Sequence, residues 1–432
     1  MGKNTRLNKS DGRLTQEYSD KNGLHCSKNS SHCKGKNKSR KPGPKTKSVK
    51  ENINLVITSS KSDKRFLYES SSTDSMLEQQ QSLLNIFESA FASSLTADNF
   101  TEILQEIKDA LFERDFNRAF SKPQYLETYA ARWSPSRALC YHSLFIDLHS
   151  SLKMTKDMVM PDFSSEDNPS QINFRAENSS PFENFDEVVC FGGGAAEVVA
   201  FAGLLHYLKN NLSQQNLRKI HDNIVSLTNE NNFITLDTKY SVRLVDSAQW
   251  QDVIHKLSHT LTKLPTASIE DAAIDPESQP SFLSPSDINF SFLQENILAL
   301  SLKQIVNLCG RKPTLVTILF TLNELYVSSI SKTTDFLLNL TLALKSGSLL
   351  LVVDSPGSYS ETSIGSCKEK YPISWLLDYI LLTKSSEISK DTCTSWIKII
   401  TEKSQWFRIP DSLKYAIHLE NMRYQIHMYR RA

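Results

Sequence analysis

Hydrophobic positions in the second half of the chain fall into short runs separated by helical patterns. The apolar runs predict strands over Val188–Phe191, Val242–Val245, Phe290–Leu293, Leu315–Phe320 and Leu349–Val353. Between them, apolar residues recur at three- and four-residue steps, which predicts helices over Val198–Leu208, Gln249–Leu261, Leu298–Leu308 and Phe336–Leu344. Strands that alternate with helices predict an α/β fold with a mostly parallel sheet and helices on both faces.

Near the C-terminus the pattern changes. Trp406–Ile409 and Tyr415–Tyr429 are extended in pattern, and no helical pattern of comparable length separates them. Two successive strands with a short connection are typical of an antiparallel pair. We therefore expect an antiparallel pair at one end of the sheet.

The region before the sheet is helical in pattern. Apolar residues recur on one face from Met76 to Phe91, and Asp98 is the predicted N-cap of a second helix. A third helix is predicted to start at Ser134-Pro135, since proline is favoured in a first turn. These patterns divide the chain into a tail (1–74), a helical region (75–152), a polar linker (153–183) and an α/β domain (184–432).

The N-terminal tail is basic and poor in aromatic residues. Residues 1–50 hold fourteen Lys or Arg against three acids, although the whole chain has a net charge of only +1. Such a composition cannot bury enough surface to fold alone, so we expect disorder. The cluster Lys34–Lys47 indicates nuclear or nucleolar targeting, nucleic-acid contact, or both; a solvated tail with neither role is the alternative.

Cysteine use and hydropathy predict a soluble intracellular protein. The seven cysteines are odd in number and unpatterned, which favours reduced thiols over a disulfide framework. The sequence lacks an apolar run of the length that spans a bilayer, and its start does not resemble a secretory signal. His25-Cys26 and His32-Cys33 offer zinc-type ligands, but their spacing is not that of a finger, so we expect no metal.

The sharpest local motif is a glycine-rich turn between the first predicted strand and its helix. Gly192, Gly193 and Gly194 follow the strand in the sequence VVCFGGGAAEVVAF. Glycines there let the backbone turn sharply and let a ligand approach the main chain. A turn needed only for close helix–strand packing is the alternative.

Polar residues also end the second and third predicted strands. Asp246 can accept both hydroxyl hydrogens of a ribose, or it can cap the next helix. Gln294-Glu295-Asn296 can meet the amine of an adenine, or it can be a polar turn. Ligands of parallel α/β sheets bind at the carboxyl ends of strands, so both positions fit a nucleotide site.

The fourth and fifth predicted strands end in candidate reactive groups. Thr321, Asn323 and Glu324 follow the fourth strand, and Asp354 ends the fifth in the sequence VVDSPGSYSE. These residues share the expected ligand edge with the glycine turn. Glu324 in the first turn of the next helix is the alternative to a chemical role.

The order of these motifs resembles a class I S-adenosylmethionine-dependent methyltransferase with a Rossmann-like sheet. More narrowly, the chain resembles the fungal large-subunit (25S) ribosomal RNA uridine-N3 methyltransferases. The segments that carry this resemblance are RWSPSRALCYHSLF (Arg132–Phe145), VVCFGGGAAE, LFTLNELY, VVDSPGSYSE and WFRIPDSLKYAIHLENMRYQIHMYRR from Trp406. Together they cover most of residues 125–432.

The resemblance implies S-adenosylmethionine as cofactor and large-subunit ribosomal RNA as substrate. Gly192 and Gly194 would flank the methionine part of the cofactor, with Gly193 between them. Asp246 would hold the ribose and Asn296 would lie beside the adenine, where such enzymes commonly have Asp. Phe320 and Asn323 would line the cleft between cofactor and base.

Methylation at uridine N3 needs an acceptor for the imino proton, and Glu324 or Asp354 are the candidates. The base must be single-stranded or flipped out, because N3 is paired in a duplex. Aromatic residues and arginines could then bind the RNA, with core packing and solvated surface as the alternatives. These residues are Trp406, Phe407, Tyr359, Arg408, Arg423, Arg430 and Arg431.

Other functions remain open on the sequence. A methyltransferase of protein or of a small molecule would use the same cofactor residues. A noncatalytic ribosome-assembly factor could keep the fold without binding cofactor. A nicotinamide-dependent dehydrogenase is disfavoured, since GGGAAE lacks the spacing of G-x-G-x-x-G. A membrane partner is not expected, and oligomeric state has no sequence signal. Nuclear or nucleolar residence is expected, and a cytoplasmic pool is compatible with the sequence.

Overall fold

A computed structural model describes residues 70–157, 187–226, 240–263, 281–356, 361–363, 370–382 and 395–432. The basic tail, the two His-Cys pairs, Tyr359 and the predicted linker after residue 157 lie outside these ranges. No helix in the described ranges has the length and apolar character needed to cross a membrane.

Seven strands form the central sheet in the order β3-β2-β1-β4-β5-β9-β8. Their bounds are β1 Glu187–Phe191, β2 Tyr240–Asp246, β3 Ile288–Gln294, β4 Leu315–Leu319, β5 Leu349–Asp354, β8 Trp396–Phe407 and β9 Met422–Arg431. Strands β1 to β5 pair in parallel, whereas β9 is antiparallel to both β5 and β8. This order, with one reversed strand inserted next to the edge, confirms the predicted fold class. A separate antiparallel pair, β6 Glu361–Ser363 and β7 Lys370–Pro372, precedes α11.

Helices cover both faces of the sheet. Their bounds are α1 Ser70–Ala90, α2 Ala92–Leu95, α3 Phe100–Phe112, α4 Phe116–Ala119, α5 Pro123–Asp157, α6 Ala195–Ser226, α7 Gln251–Lys263, α8 Leu302–Cys309, α9 Leu322–Ser328, α10 Ile330–Ala343 and α11 Ile373–Leu382. A short 3-10 helix spans Ile297–Ala299.

Alternating side chains of the strands build two cores. Val188 and Cys190 face a core shared with α1, α3, α5, α6 and α7, whereas Val189 and Phe191 face a core shared with α8, α10 and α11. Strands buried on both faces read as continuous apolar runs, which is why the sequence pattern located them. The helices before the sheet therefore pack directly on its first face.

Two predicted helix starts are wrong. The third helix of the N-terminal region does not begin at Ser134-Pro135, because α5 begins at Pro123 and carries Pro135 in its interior. The second helix is capped at Asn99 and not at Asp98. Proline weakens a helix by removing a hydrogen bond, but burial along α5 outweighs that cost, and local propensity could not show it.

The C-terminal antiparallel pair forms as predicted, with different bounds. Residues from Tyr415 to Asn421 precede β9 and are not in a strand. Because β9 runs against β5, its last residues lie at the amino ends of the parallel strands, where Arg430 pairs with Leu349. Arg431 donates to the carbonyls of Thr341 and Ser395 at that edge. Arg430 and Arg431 therefore lie at the edge opposite the predicted ligand edge, and their contact with RNA phosphates stays a prediction.

Candidate functional site

Gly192 forms a tight turn at the carboxyl end of β1. Its φ is +76°, and its amide donates to the Val245 carbonyl at 2.8 Å, which ties the turn to β2. A Cβ at this position would lie 2.2 Å from Thr321 Oγ1, a distance that real side chains do not adopt. Glycine is therefore required by both the backbone angle and the close approach of the segment after β4.

Gly193 and Gly194 continue the turn into α6. A Cβ on Gly193 would lie 2.6 Å from Cys190 Cβ, whereas one on Gly194 would make ordinary contact with the Trp250 ring at 3.4 Å. The Gly194 amide donates to Glu197 Oε2 at 2.8 Å. Packing within the fold thus requires glycine at positions 192 and 193, and a turn without side chains also allows the close approach of a ligand.

Asp246 ends β2, the strand beside β1. Its Oδ1 accepts the Ala248 amide at 2.7 Å, and the carboxyl is half-buried. Burial raises the pKa of Asp246 to about 6, against hydrogen bonds from Ala248, Trp250 and Ser247 that lower it. Above that pH the group is an anion with acceptor capacity close to the glycine turn, as a ribose diol requires.

Asn296 lies after β3 and is exposed. Its side-chain oxygen accepts the Leu298 amide at 2.9 Å, so it caps the 3-10 helix. The polar turn that the sequence offered as an alternative is therefore present. The side-chain nitrogen of Asn296 takes no part in this cap, and it is the group through which Asn296 can donate a hydrogen bond to an adenine.

Phe320 follows β4 with a φ of +53°, which is unusual for a residue other than glycine. Its amide donates to the Val353 carbonyl at 2.7 Å, and its ring stacks on Tyr141 of α5 at 6.2 Å between centroids. The Arg137 guanidinium lies 5.7 Å from the Phe320 ring centroid. The long helix α5 thus covers the carboxyl ends of β1 and β4.

Asn323, Glu324 and Asp354 come together where β4 and β5 end. Asp354 Oδ2 accepts the Asn323 amide at 2.9 Å, and its Oδ1 accepts the Ser355 amide at 2.7 Å. Burial raises the pKa of Asp354 to about 6, although both amides lower it. One oxygen of Asp354 holds an amide in the first turn of α9, as a capping residue does, and the other holds the amide of the residue that follows β5.

Glu324 differs from Asp354 in having a free oxygen. Its Oε2 is buried and has no hydrogen-bond partner among the described residues, and the same is true of Asn323 Oδ1. Burial raises the pKa of Glu324, while the charges of Arg114 and Arg137 lower it. A buried acceptor without a partner costs free energy unless a ligand or water donates to it, so it points to a bound group.

Sequence reasoning missed Arg137 and Glu197. Arg137 Nη1 donates to Tyr129 Oη at 2.6 Å, which is its only hydrogen bond within the described ranges. Its charge acts on Glu197, Glu324 and Asp354. Arg137 lies in a segment that carried the family resemblance, but its position over β4 depends on the packing of α5. The role of Glu197 could have been predicted, because it is the third residue of α6, where a carboxylate can accept an amide at the start of the helix.

Burial of Glu197 yields a prediction about stability. Burial raises the pKa of Glu197 from its usual range to about 7, with the Gly194 amide opposing the shift. The folded state therefore binds the proton of Glu197 more tightly than the unfolded state does. The contribution of Glu197 to stability is fully present below its unfolded pKa and is lost as pH rises through about 7. We expect Glu197→Gln to be more stable than wild type by on the order of 2–3 kcal/mol at pH 8, with the difference shrinking toward pH 4.5.

Urea unfolding at several pH values between 8 and 5 measures this difference. Glu78→Gln is the matched control, because Glu78 is exposed on α1. If Glu197→Gln and wild type change stability in parallel across this range, Glu197 is not protonated on folding.

The predicted site residues share one edge of the sheet. The glycine turn, Asp246, Phe320, Glu324 and Asp354 follow four adjacent strands in the order β2-β1-β4-β5. Asn296 follows β3 at the end of that row. Within the described part of the chain, His, Cys, Asp and Glu do not group as a metal site requires.

Trp406 lies further along the same edge. It ends β8, which runs in the same direction as β5, and its ring is half exposed. The guanidinium groups of Arg408 and Arg423 lie 5.2 Å and 5.7 Å from its ring. Two strand spacings of about 4.8 Å separate β8 from β5, so this cluster is roughly 10 Å to the side of the row that ends in Asp354.

Comparison of the sequence with protein families gives a match over most of the chain. The family model described as "Putative SAM-dependent methyltransferase" matches residues 87–430. A relative from Saccharomyces cerevisiae, the 25S rRNA (uridine(2843)-N(3))-methyltransferase, is 29% identical over 357 residues, which cover 81% of this chain and 85% of the relative.

The matches among solved structures are more distant. An O-methyltransferase family protein from Burkholderia thailandensis is 11% identical, with a TM-score of 0.30 and coverage of 78% of this chain and 74% of that one. The 16S rRNA (adenine(1408)-N(1))-methyltransferase from Catenulisporales acidiphilia is 13% identical, with a TM-score of 0.26 and coverage of 57% and 87%.

Proposed function

Because the chain belongs to the family of S-adenosylmethionine-dependent methyltransferases, we propose that it methylates N3 of a uridine in large-subunit ribosomal RNA. The observation that carries the reaction class is the side-chain-free turn at Gly192 next to the half-buried carboxyl of Asp246. The target base and the RNA follow the yeast relative, which acts on a uridine N3 of 25S rRNA. In this proposal residues 184–432 form the catalytic domain, and the helices of 75–152 support it.

The chain offers a consistent set of groups to the cofactor. The turn from Gly192 to Gly194 receives its methionine part, Asp246 accepts its ribose hydroxyls, and Asn296 donates to its adenine. Arg137 has guanidinium hydrogens without an acceptor among the described residues and lies beside Phe320, so it suits the carboxylate of that methionine. When bound, the cofactor supplies an electrophilic methyl group on a sulfonium.

Glu324 is the proposed general base. The N3 proton must leave as nitrogen bonds to the methyl carbon, and the unpartnered Oε2 of Glu324 can accept it. Asp354 holds the start of α9 through the Asn323 amide and so positions Glu324. Phe320 and Asn323 line the space between, and orienting the base there supplies much of the rate.

Substrate RNA is proposed to extend from this cleft to Trp406. A uridine whose N3 reacts cannot be paired, and proteins bind single-stranded RNA through aromatic faces with cations near phosphates. Trp406 with Arg408 and Arg423 has this composition on the catalytic edge of the sheet. The basic cluster Lys34–Lys47 supports additional RNA contact and residence in the nucleus or nucleolus.

We expect Trp406→Ala to weaken RNA binding roughly tenfold, since one base–aromatic stack contributes about 1–3 kcal/mol. Fluorescence anisotropy with a short labelled oligouridine measures the affinity. Leu342→Ala is the matched control, because Leu342 is 70% exposed on α10, near the amino ends of the parallel strands. Equal losses in the two variants would show that Trp406 has no particular role.

The proposed reaction is tested by mass spectrometry of ribosomal RNA nucleosides from cells that lack the protein. Loss of 3-methyluridine that wild type restores and Asp246→Ala does not restore supports both the reaction and the cofactor site. Asp335→Ala, a change of an exposed carboxylate on α10, should restore it fully. An unchanged nucleoside profile would reject rRNA methylation. Calorimetry with S-adenosylmethionine would then separate a methyltransferase of another substrate from a noncatalytic assembly factor.

A further inference from the structure

The turn after α3 holds an arginine where glycine is usual. Asp115 donates its amide to the Ala110 carbonyl at 2.8 Å, and Arg114 donates to Leu111 at 3.1 Å. This pair of bonds is the Schellman motif that ends many helices, and its left-handed position is usually glycine. Arg114 occupies that position with a φ of +57°. Arg114 therefore keeps a side chain at a position where it lowers stability, which points to a functional role for that side chain.

The charges around Arg114 are already paired, but Arg114 is not. Glu113 pairs with Arg118 at 3.0 Å, and Asp115 caps α4 by accepting the Arg118 amide at 3.0 Å. Arg114 has no ion pair within the described ranges. Beside it, Phe112 is 83% exposed, the most of the large apolar side chains described. The turn thus presents one free cation and one free aromatic face.

This turn borders the catalytic edge. One turn of α4 connects it to Phe120, whose ring packs on Tyr129 at 5.0 Å and on Trp250 at 5.8 Å. Trp250 is the ring that contacts the Gly194 turn. In addition, the Arg114 charge lowers the pKa of Glu324, which requires the two groups to be near each other.

We propose that Phe112 and Arg114 form an RNA-binding lip at the entrance to the site, with Arg114 on a phosphate and Phe112 stacked on a base next to the target. This inference rests on the proposed function, because it specifies how the same site holds its RNA. A cation and an exposed aromatic ring two residues apart on one turn match a phosphate and its base in a single strand. The lip and the Trp406 cluster would then contact the strand at two places.

Arg114→Gly separates this role from a structural one. Glycine relieves the left-handed backbone, so we expect the midpoint of thermal unfolding to rise by about 1–3 °C. The same variant should bind a short labelled oligouridine severalfold more weakly, and the slope of log affinity against log salt should become shallower by about 0.7, the value for one phosphate on a single strand. Phe112→Ala should also weaken binding, by roughly fivefold or more.

Matched variants complete the test. Arg114→Lys keeps the charge and the strained backbone, so its affinity for oligouridine should stay close to wild type. Arg311→Ala removes an exposed arginine at the opposite edge of the sheet and should change neither affinity nor salt slope. Calorimetry with S-adenosylhomocysteine should give the wild-type Kd for every variant.

Two results would overturn the lip: wild-type affinity and salt slope in Arg114→Gly, or a loss of S-adenosylhomocysteine binding in that variant. Failure of the proposed reaction looks different. In that case wild type would form no 3-methyluridine, while oligouridine binding would still depend on Arg114 and Phe112.

Discussion

Gly192→Ala is expected to remove cofactor binding. The substitution forces an L side chain into a backbone with φ of +76° and puts its Cβ 2.2 Å from Thr321 Oγ1. The left-handed angle costs about 1–2 kcal/mol, and overpacking costs about 1–3 kcal/mol more. The turn must move away from Thr321, which displaces the backbone that receives the cofactor. We expect the affinity for S-adenosylhomocysteine to fall more than about 100-fold, equivalent to about 3 kcal/mol.

Gly347→Ala is the control for backbone strain alone. Gly347 has a similar φ of +86°, but the nearest atom to its Cβ would be 4.0 Å away, and it lies before β5 at the opposite edge of the sheet. Calorimetry and urea unfolding should show a loss of stability of about 1 kcal/mol with an unchanged Kd. If both alanine variants bind S-adenosylhomocysteine like wild type, the turn at Gly192 does not receive the cofactor.

The parallel sheet could be predicted because its central strands β1, β4 and β5 are buried on both faces. Five apolar runs separated by four helical patterns are enough to specify strands and crossovers. The site could be located for a related reason: in such a sheet the carboxyl ends of parallel strands share one edge. Polar residues that end these strands must therefore lie along that edge, as Asp246 on β2 and Asp354 on β5 do.

Features that depend on packing between distant segments could not be predicted. The start of α5 at Pro123 depends on burial that carries the helix through Pro135. Arg137 reaches the site only because α5 crosses the ends of β1 and β4. The position of Arg430 at the amino ends of the parallel strands could not be predicted, because the direction of β9 relative to β5 is a property of topology, which its local pattern does not carry.

Which of the two acids at the ends of β4 and β5 can act as the general base could be inferred only from the structure. In the sequence, Glu324 and Asp354 were equivalent candidates for the base. In the structure both oxygens of Asp354 accept hydrogen bonds from backbone amides, whereas one oxygen of Glu324 has no partner among the described residues. Both carboxyls have raised pKa values because of burial, so titration alone would not distinguish them.

Glu324→Gln is therefore expected to lower kcat by about 100- to 1000-fold, because a positioned general base raises the rate about 10²–10⁴-fold. Cofactor affinity and stability should change little. In wild type the rate should rise with pH as the Glu324 carboxyl loses its proton, because only the carboxylate accepts one. The Gln variant should lack that rise and recover only at alkaline pH, where the uridine imino group ionises in solution. Single-turnover methylation of rRNA across pH measures both effects.

Asp354→Asn provides the contrast. An amide can accept one of the two backbone N–H groups but leaves the other without an acceptor, which costs about 1–3 kcal/mol. Because burial raises the pKa of Asp354 to about 6, the loss of stability in Asp354→Asn should be largest below about pH 5 and should shrink as pH rises through 6. Its rate should fall less than that of Glu324→Gln and should keep a pH-dependent rise. The charge of Glu324 raises the pKa of Asp354. Because repulsion between two like charges is reciprocal, that rise should shift to lower pH when Asp354 is replaced by a neutral side chain. If the rise is instead absent in Asp354→Asn and intact in Glu324→Gln, Asp354 is the base and Glu324 only positions it.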